Sequence, residues 1–148
     1  MRAGTNTLGA LAAPLLVLLA GCVFEPPPTT IELVNTTALD VTPNLYVSES
    51  ATDESGLFVA ANRVTDFTDR AFPELRGSEQ VALELECDAA VTLGVNAPVL
   101  FDAVQVIATA SDDHLLLQRD VDFQCGETVR FIYFAEGDAF RVRVELSE

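Results

Sequence analysis

His114 is the single histidine of the chain and lies in Ser111-Asp112-Asp113-His114, directly before the apolar run Leu115-Leu116-Leu117. An imidazole beside carboxylates is raw material for hydrolysis, which also demands a nucleophile and an orienting acid converging in space. The Gly-x-Ser-x-Gly elbow that would announce a nucleophile is absent. Asp112 and Asp113 are residue types that bond their own backbone in turns, so the quartet reads as the turn into a strand. Oxygen ligands for a hard cation are plentiful, in Asp53-Glu54-Ser55-Gly56 and in Asp66 with Asp69, and calcium is the ion they would suit. Neither group has the spaced acidic loop with its central glycine and closing glutamate. Acidic turns are expected in a chain with 23 acidic residues, and no metal site is assigned. No glycine-rich phosphate loop occurs either, so neither a catalytic residue nor a cofactor is expected.

Cys22 closes the run Leu19-Ala20-Gly21-Cys22, at the end of an uncharged Leu- and Ala-rich stretch from Leu8 to Ala20 that follows Arg2. That stretch is too short to span a bilayer, which takes about 20 apolar residues, and has the roughly 7 to 15 of a signal core. The motif resembles the lipobox of bacterial lipoprotein signal peptides. The resemblance implies cleavage before Cys22, a diacylglycerol on its thiol, and often a further acyl chain on the new amino group. Two or more chains anchor a protein stably, at about 0.8 kcal/mol per buried methylene. Val23, rather than Asp, after the cysteine implies transfer to the outer membrane. The expected location is therefore the bacterial cell envelope, with the lipid bilayer as partner through the N-terminal acyl chains. The tail Val144-Glu145-Leu146-Ser147-Glu148 is too polar for a C-terminal anchor.

With Cys22 lipidated, Cys87 and Cys125 remain, in a compartment where a disulfide forms and persists. Zinc, which needs clustered His and Cys, then lacks ligands. Loss of residues 1–21 leaves seven arginines, no lysine and 23 acidic residues, a formal charge of −16. Nucleic acid is excluded as a partner, because a phosphate backbone demands a basic face. Arg141 and Arg143 alternate with Val142 and Val144, the pattern of a strand's wet face. The same charge opposes attraction to anionic lipid.

Residues 22–30 contain Pro26, Pro27 and Pro28 and read as a lipidated, extended spacer lifting the domain off the lipid. Residues 31–148 have the length of one domain, and their dominant period is two. Val81, Leu83, Leu85 and Cys87 alternate with Ala82, Glu84, Glu86 and Asp88, which points Cys87 inward; Val91, Leu93 and Val95 continue the pattern. Thr128 to Phe134 and Ala139 to Leu146 flank Ala135-Glu136-Gly137-Asp138 as a hairpin. Further strands are expected at Ile31 to Asn35, Asn44 to Ser48, Leu57 to Ala60, Val99 to Thr109, Leu115 to Gln118 and Asp120 to Gln124. Asp66 to Arg76 breaks the period and reads as a loop with a short helix, stopped by Pro73. The whole predicts an all-β protein, a single antiparallel β-sandwich of seven to nine strands with one short helical or loop insertion. Immunoglobulin-like and transthyretin-like Greek keys both fit, although the core Trp of true immunoglobulin domains is missing.

Asn35-Thr36-Thr37 matches a glycosylation acceptor and reads as a strand end. Phe131, Tyr133, Phe134 and Phe140 would stack on sugars if exposed, and read as core. The expected function is that of a non-enzymatic envelope lipoprotein with a structural or recognition role toward an envelope protein or glycan. The alternative is a calcium or small-ligand binding module presented at the membrane surface.

Overall fold

The alternating pattern builds two sheets. A computed structural model describes residues 25–70, 74–101, 106–107, 114–137 and 139–148. Its strands are β1 (Thr29–Asn35), β2 (Val41–Ser48), β3 (Arg63–Val64), β4 (Gln80–Leu85), β5 (Thr92–Phe101), β6 (Val106–Ile107), β7 (His114–Gln118), β8 (Thr128–Glu136) and β9 (Ala139–Ser147), with one helical turn, α1 (Glu54–Leu57). The first sheet has the order β4-β1-β8-β9 and the second β3-β2-β5-β6, with β7 also paired to β5. Every pairing between these strands is antiparallel except that of β1 with β8, which is parallel.

Period two turns one face of each sheet inward. Ile31, Leu33, Val129, Phe131, Tyr133, Phe140 and Val142 of the first sheet share a buried cluster with Val41, Leu45, Leu93, Val95 and Leu117 of the second. The arrangement is thus all-β and β-sandwich-like. Side chains such as Phe131 and Leu93, wholly buried, each contribute roughly 1.5–3 kcal/mol of apolar transfer free energy.

Several sequence expectations need correction. The sandwich is not wholly antiparallel, because β1 enters its sheet beside a strand running the same way. Leu57 to Ala60 is not a strand: Leu57 ends α1 and Ala60 opens a 3-10 turn. Asp120 to Gln124 is a turn joined by a bridge between Arg119 and Phe123, with Phe123 buried and Val121 exposed. The described residues of the 66–76 loop contain no helix. Val99 belongs to a long β5 that already begins at Thr92. Pro73 and Asp138 lie outside the described residues.

The end of β1 is held by an amide that no periodicity reveals. Asn35 is 1% exposed, and its Nδ2 donates to the carbonyls of Leu39 (2.7 Å), Arg76 (2.9 Å) and Leu75 (3.2 Å). Its Oδ1 accepts from the backbone N of Thr37 (3.0 Å) and from Thr37 Oγ1 (2.8 Å). One side chain so closes the β1–β2 turn and ties it to the segment before β4. The amide of the acceptor pattern is spent on backbone. Asn35→Asp would turn a buried donor into an acceptor facing three carbonyls. A loss of about 3 kcal/mol or more is expected in urea unfolding, since each unsatisfied buried polar group costs roughly 1–3 kcal/mol. A loss below about 1 kcal/mol would refute this role for Asn35.

Candidate functional site

The two faces of the second sheet differ in kind. Leu45, Val47, Leu93, Val95, Leu115 and Leu117 belong to or pack against the core, so Asn44, Tyr46, Gly94, Asn96, His114 and Leu116 lie on the opposite face. There Asn44 pairs with Asn96 and Asn96 with His114, a row across three strands. The next row is Tyr46, Gly94 and Leu116.

Gly94 has no side chain because something else occupies its place. A Cβ there would lie 2.5 Å from Leu57 Cδ2, 2.9 Å from the Leu115 carbonyl oxygen and 3.1 Å from Phe58 Cε1. Leu57, fully buried, and Phe58 fill that gap from α1 and the residue after it. Phe58 then meets Tyr46 edge-on at 5.2 Å between ring centroids and His114 edge-on at 5.8 Å. His114 Nε2 also lies 2.7 Å from Glu54 Oε1. The face therefore offers an aromatic ridge, two half-buried amides and an imidazole–carboxylate pair at its rim.

Asp53, named as a possible calcium ligand, is the N-cap of α1. Its Oδ1 accepts from Ser55 Oγ (2.8 Å) and from the backbone N of Gly56 (2.8 Å). The Ser55 hydroxyl first and the Gly56 amide next hold this carboxyl below its ordinary range. The acidic quartet is thus a helix start. Asp66 and Asp69 are exposed, and among the described residues no group of three or more His, Cys, Asp or Glu could hold a metal ion. Beside them Arg70 grips Glu79 through both terminal guanidinium nitrogens and donates to the Glu74 carbonyl (2.7 Å). Ser111, Asp112, Asp113 and Cys22 lie outside the described residues.

Cys87 and Cys125 stand at disulfide distance, with Cα atoms 5.5 Å apart. The Arg119 guanidinium donates to the Cys87 carbonyl and approaches Cys87 Sγ at 3.3 Å. Of the four aromatics considered as a sugar platform, Phe131, Tyr133 and Phe140 are buried, and burial pushes the Tyr133 phenol upward. Phe134 lies on the outer face of the first sheet beneath Arg143, whose Cζ is 5.5 Å from the ring centroid. Arg141 and Arg143 occupy that same face, opposite Phe134 and Ile132. Tyr46, Phe58, Asn44 and Asn96 escaped the sequence reading. The signal available was Gly94, a glycine interrupting the alternation of β5.

No protein-family model matches the chain, and no curated protein matches it. Among solved structures the chain is similar to a protein from Eubacterium rectale determined by NMR, at 15% identity over 82% of this chain and 91% of that one, with a TM-score of 0.40. That likeness is too remote to carry a function.

Two measurements test the Arg70–Glu79 and Cys87–Cys125 clamps. The Arg70 guanidinium, and then the Arg76 amide, pull the Glu79 carboxyl down from 4.5 to about 2. Its stabilisation is therefore complete above pH 4.5 and lost as the pH falls toward 2. Glu79→Gln should flatten the thermal midpoint across that window and leave its slope at neutral pH unchanged. For the cysteine pair, separated by 38 positions, Cys125→Ser should cost roughly 3–4 kcal/mol in the chain-entropy account of a closed loop. Equal stability with and without reductant would contradict a bond there.

Proposed function

We propose that this chain is a lipid-anchored, non-catalytic protein of the bacterial envelope, with the outer face of the second sheet serving recognition of an envelope glycan. The observation that carries the recognition reading is the ridge of Tyr46, Phe58 and His114 beside the amides of Asn44 and Asn96. Each amide offers paired donors and an acceptor, and the electron-rich faces of aromatic rings pack against the C–H faces of sugars. His114 serves here as a packed and hydrogen-bonded rim residue, not as a base.

The anchor reading draws support from Leu19-Ala20-Gly21-Cys22 and from the start of β1 at Thr29, seven residues after Cys22. For topology, an immunoglobulin domain places its strands in the orders A-B-E-D and C-F-G, with the first at an edge. Here β1 is internal, between β4 and β8, which favours the transthyretin-like Greek key. The calcium alternative loses its best motif to the capping role of Asp53.

Intact-mass analysis of the protein from bacterial membranes should return a chain beginning at Cys22 with added acyl mass; an unmodified full-length chain would remove the anchor. In NMR titrations with soluble peptidoglycan and lipopolysaccharide glycan fragments, the side-chain amides of Asn44 and Asn96 should shift. Asn96→Ala should weaken binding about tenfold, the equivalent of roughly 1.4 kcal/mol. Absence of any shift with either class of fragment rejects the glycan role.

A further inference from the structure

The polyproline segment does not stand clear of the domain. Pro26, Pro27 and Pro28 border a groove of about 390 Å³ together with Glu25, Glu86, Cys87 and Asp88. Gly126 lies against it at φ +87, and a Cβ there would be 2.8 Å from Pro27 Cγ. Position 126 is glycine on two counts, a left-handed backbone and a ring pressed onto it. Just beyond, Thr29 pairs with Leu85, and the Thr30 amide donates to the Glu127 carbonyl at 3.1 Å. The chain therefore enters β1 as a strap laid against residues 86–88 and 126–127, at the end of the domain where Arg119 and Cys125 also meet Cys87.

Covalent reach supplies the second constraint. Three Cα steps separate Cys22 from Glu25, so the two Cα atoms are at most about 11 Å apart. A domain of this size has a radius of gyration of about 13 Å. So short a leash on a seated strap does not let the domain turn over.

We infer that the end of the domain formed by the strap and the turns 86–90 and 120–127 faces the lipid headgroups, and that the surface it fits is zwitterionic. This rests on the lipid anchor proposed above. The exposed charged side chains at that end are all acidic, Glu25, Glu86, Asp88, Asp120 and Asp122, and stand among the uncharged Pro26, Pro27, Pro28, Val121 and Gln124. The nearby cation, Arg119, is folded back on the Cys87 carbonyl, with Asp88 at 3.8 Å and Asp120 at 3.6 Å. Anionic lipid repels such a surface within a Debye length, about 10 Å at 0.1 M salt.

The test uses the processed, lipidated protein in phosphatidylcholine bicelles that carry a gadolinium chelate on a fraction of headgroups. Amide relaxation should be enhanced at residues 86–90 and 120–127 and unaffected at 36–40 and 76–79. Replacing part of the lipid by phosphatidylglycerol at low salt should weaken the enhancement. The combined changes Pro26→Gly, Pro27→Gly and Pro28→Gly should spread it over the domain while its amide spectrum stays folded. Enhancement at 36–40 and 76–79 in the unaltered protein, or equal enhancement everywhere, overturns the facing and leaves the anchor intact. Strengthening by phosphatidylglycerol overturns the zwitterionic fit. Fast tumbling, as of a free domain, removes the anchor and the facing together.

Discussion

Strand β1 runs parallel to β8 along six registered positions, from Thr30 opposite Thr128 to Asn35 opposite Tyr133, and on its other side antiparallel to β4. Without that parallel ladder the first sheet would separate into two ribbons, β1–β4 and β8–β9, and isolated two-stranded ribbons are marginal in water. With it, Ile31 and Leu33 stand beside Val129 and Phe131 and form one wall of the core. On the wet face Arg130 reaches Glu32 at 2.6 Å, across a sequence gap of 98 residues. A contact that distant carries a large loop-closure cost, and folding dominated by such contacts is expected in the millisecond-to-second range.

The second sheet shows how one missing side chain organises a surface. An alanine at Gly94 would collide with Leu57 and with the Leu115 carbonyl. The vacant position instead admits Leu57, and with it α1 and the ring of Phe58. Asp53 fixes the start of that turn, and Asn62 fixes its end by donating from Nδ2 to the carbonyls of Gly56 (2.9 Å) and Leu57 (3.0 Å). The aromatic ridge is therefore anchored at both ends, while the first sheet's outer face carries crossed pairs such as Arg130 with Glu32 and Arg141 with Glu136 (2.9 Å). The contrast between the two faces sets a surface of aromatic rings and amides apart from one of paired charges.

Much of this architecture is legible in residue order, and the part that is not has a physical reason. Alternation in β1, β4, β8 and β9 is visible because each of those strands has one wet face. It fails at Leu57-Phe58-Val59-Ala60, whose apolar run looks like a strand and instead packs outside a sheet through a hole at Gly94. It fails again around Phe123, buried by a turn whose neighbour Val121 is exposed. Pairing order is invisible in principle, since nothing in the composition of β1 says whether it sits at an edge or inside. Asn35 shows the limit most sharply: Asn35-Thr36-Thr37 reads as a strand end, and β1 does end at Asn35, but nothing in the tripeptide announces the five hydrogen bonds that make its side chain interior.

The interior position of β1 also decides how the domain bears tension. A pull on the N-terminus acts along the axis of a strand flanked on both sides by partners, so all of its cross-strand bonds must slide together instead of peeling away singly. Edge strands yield one rung at a time. This one is loaded in shear, so tension at the N-terminus is shared across both of its ladders at once.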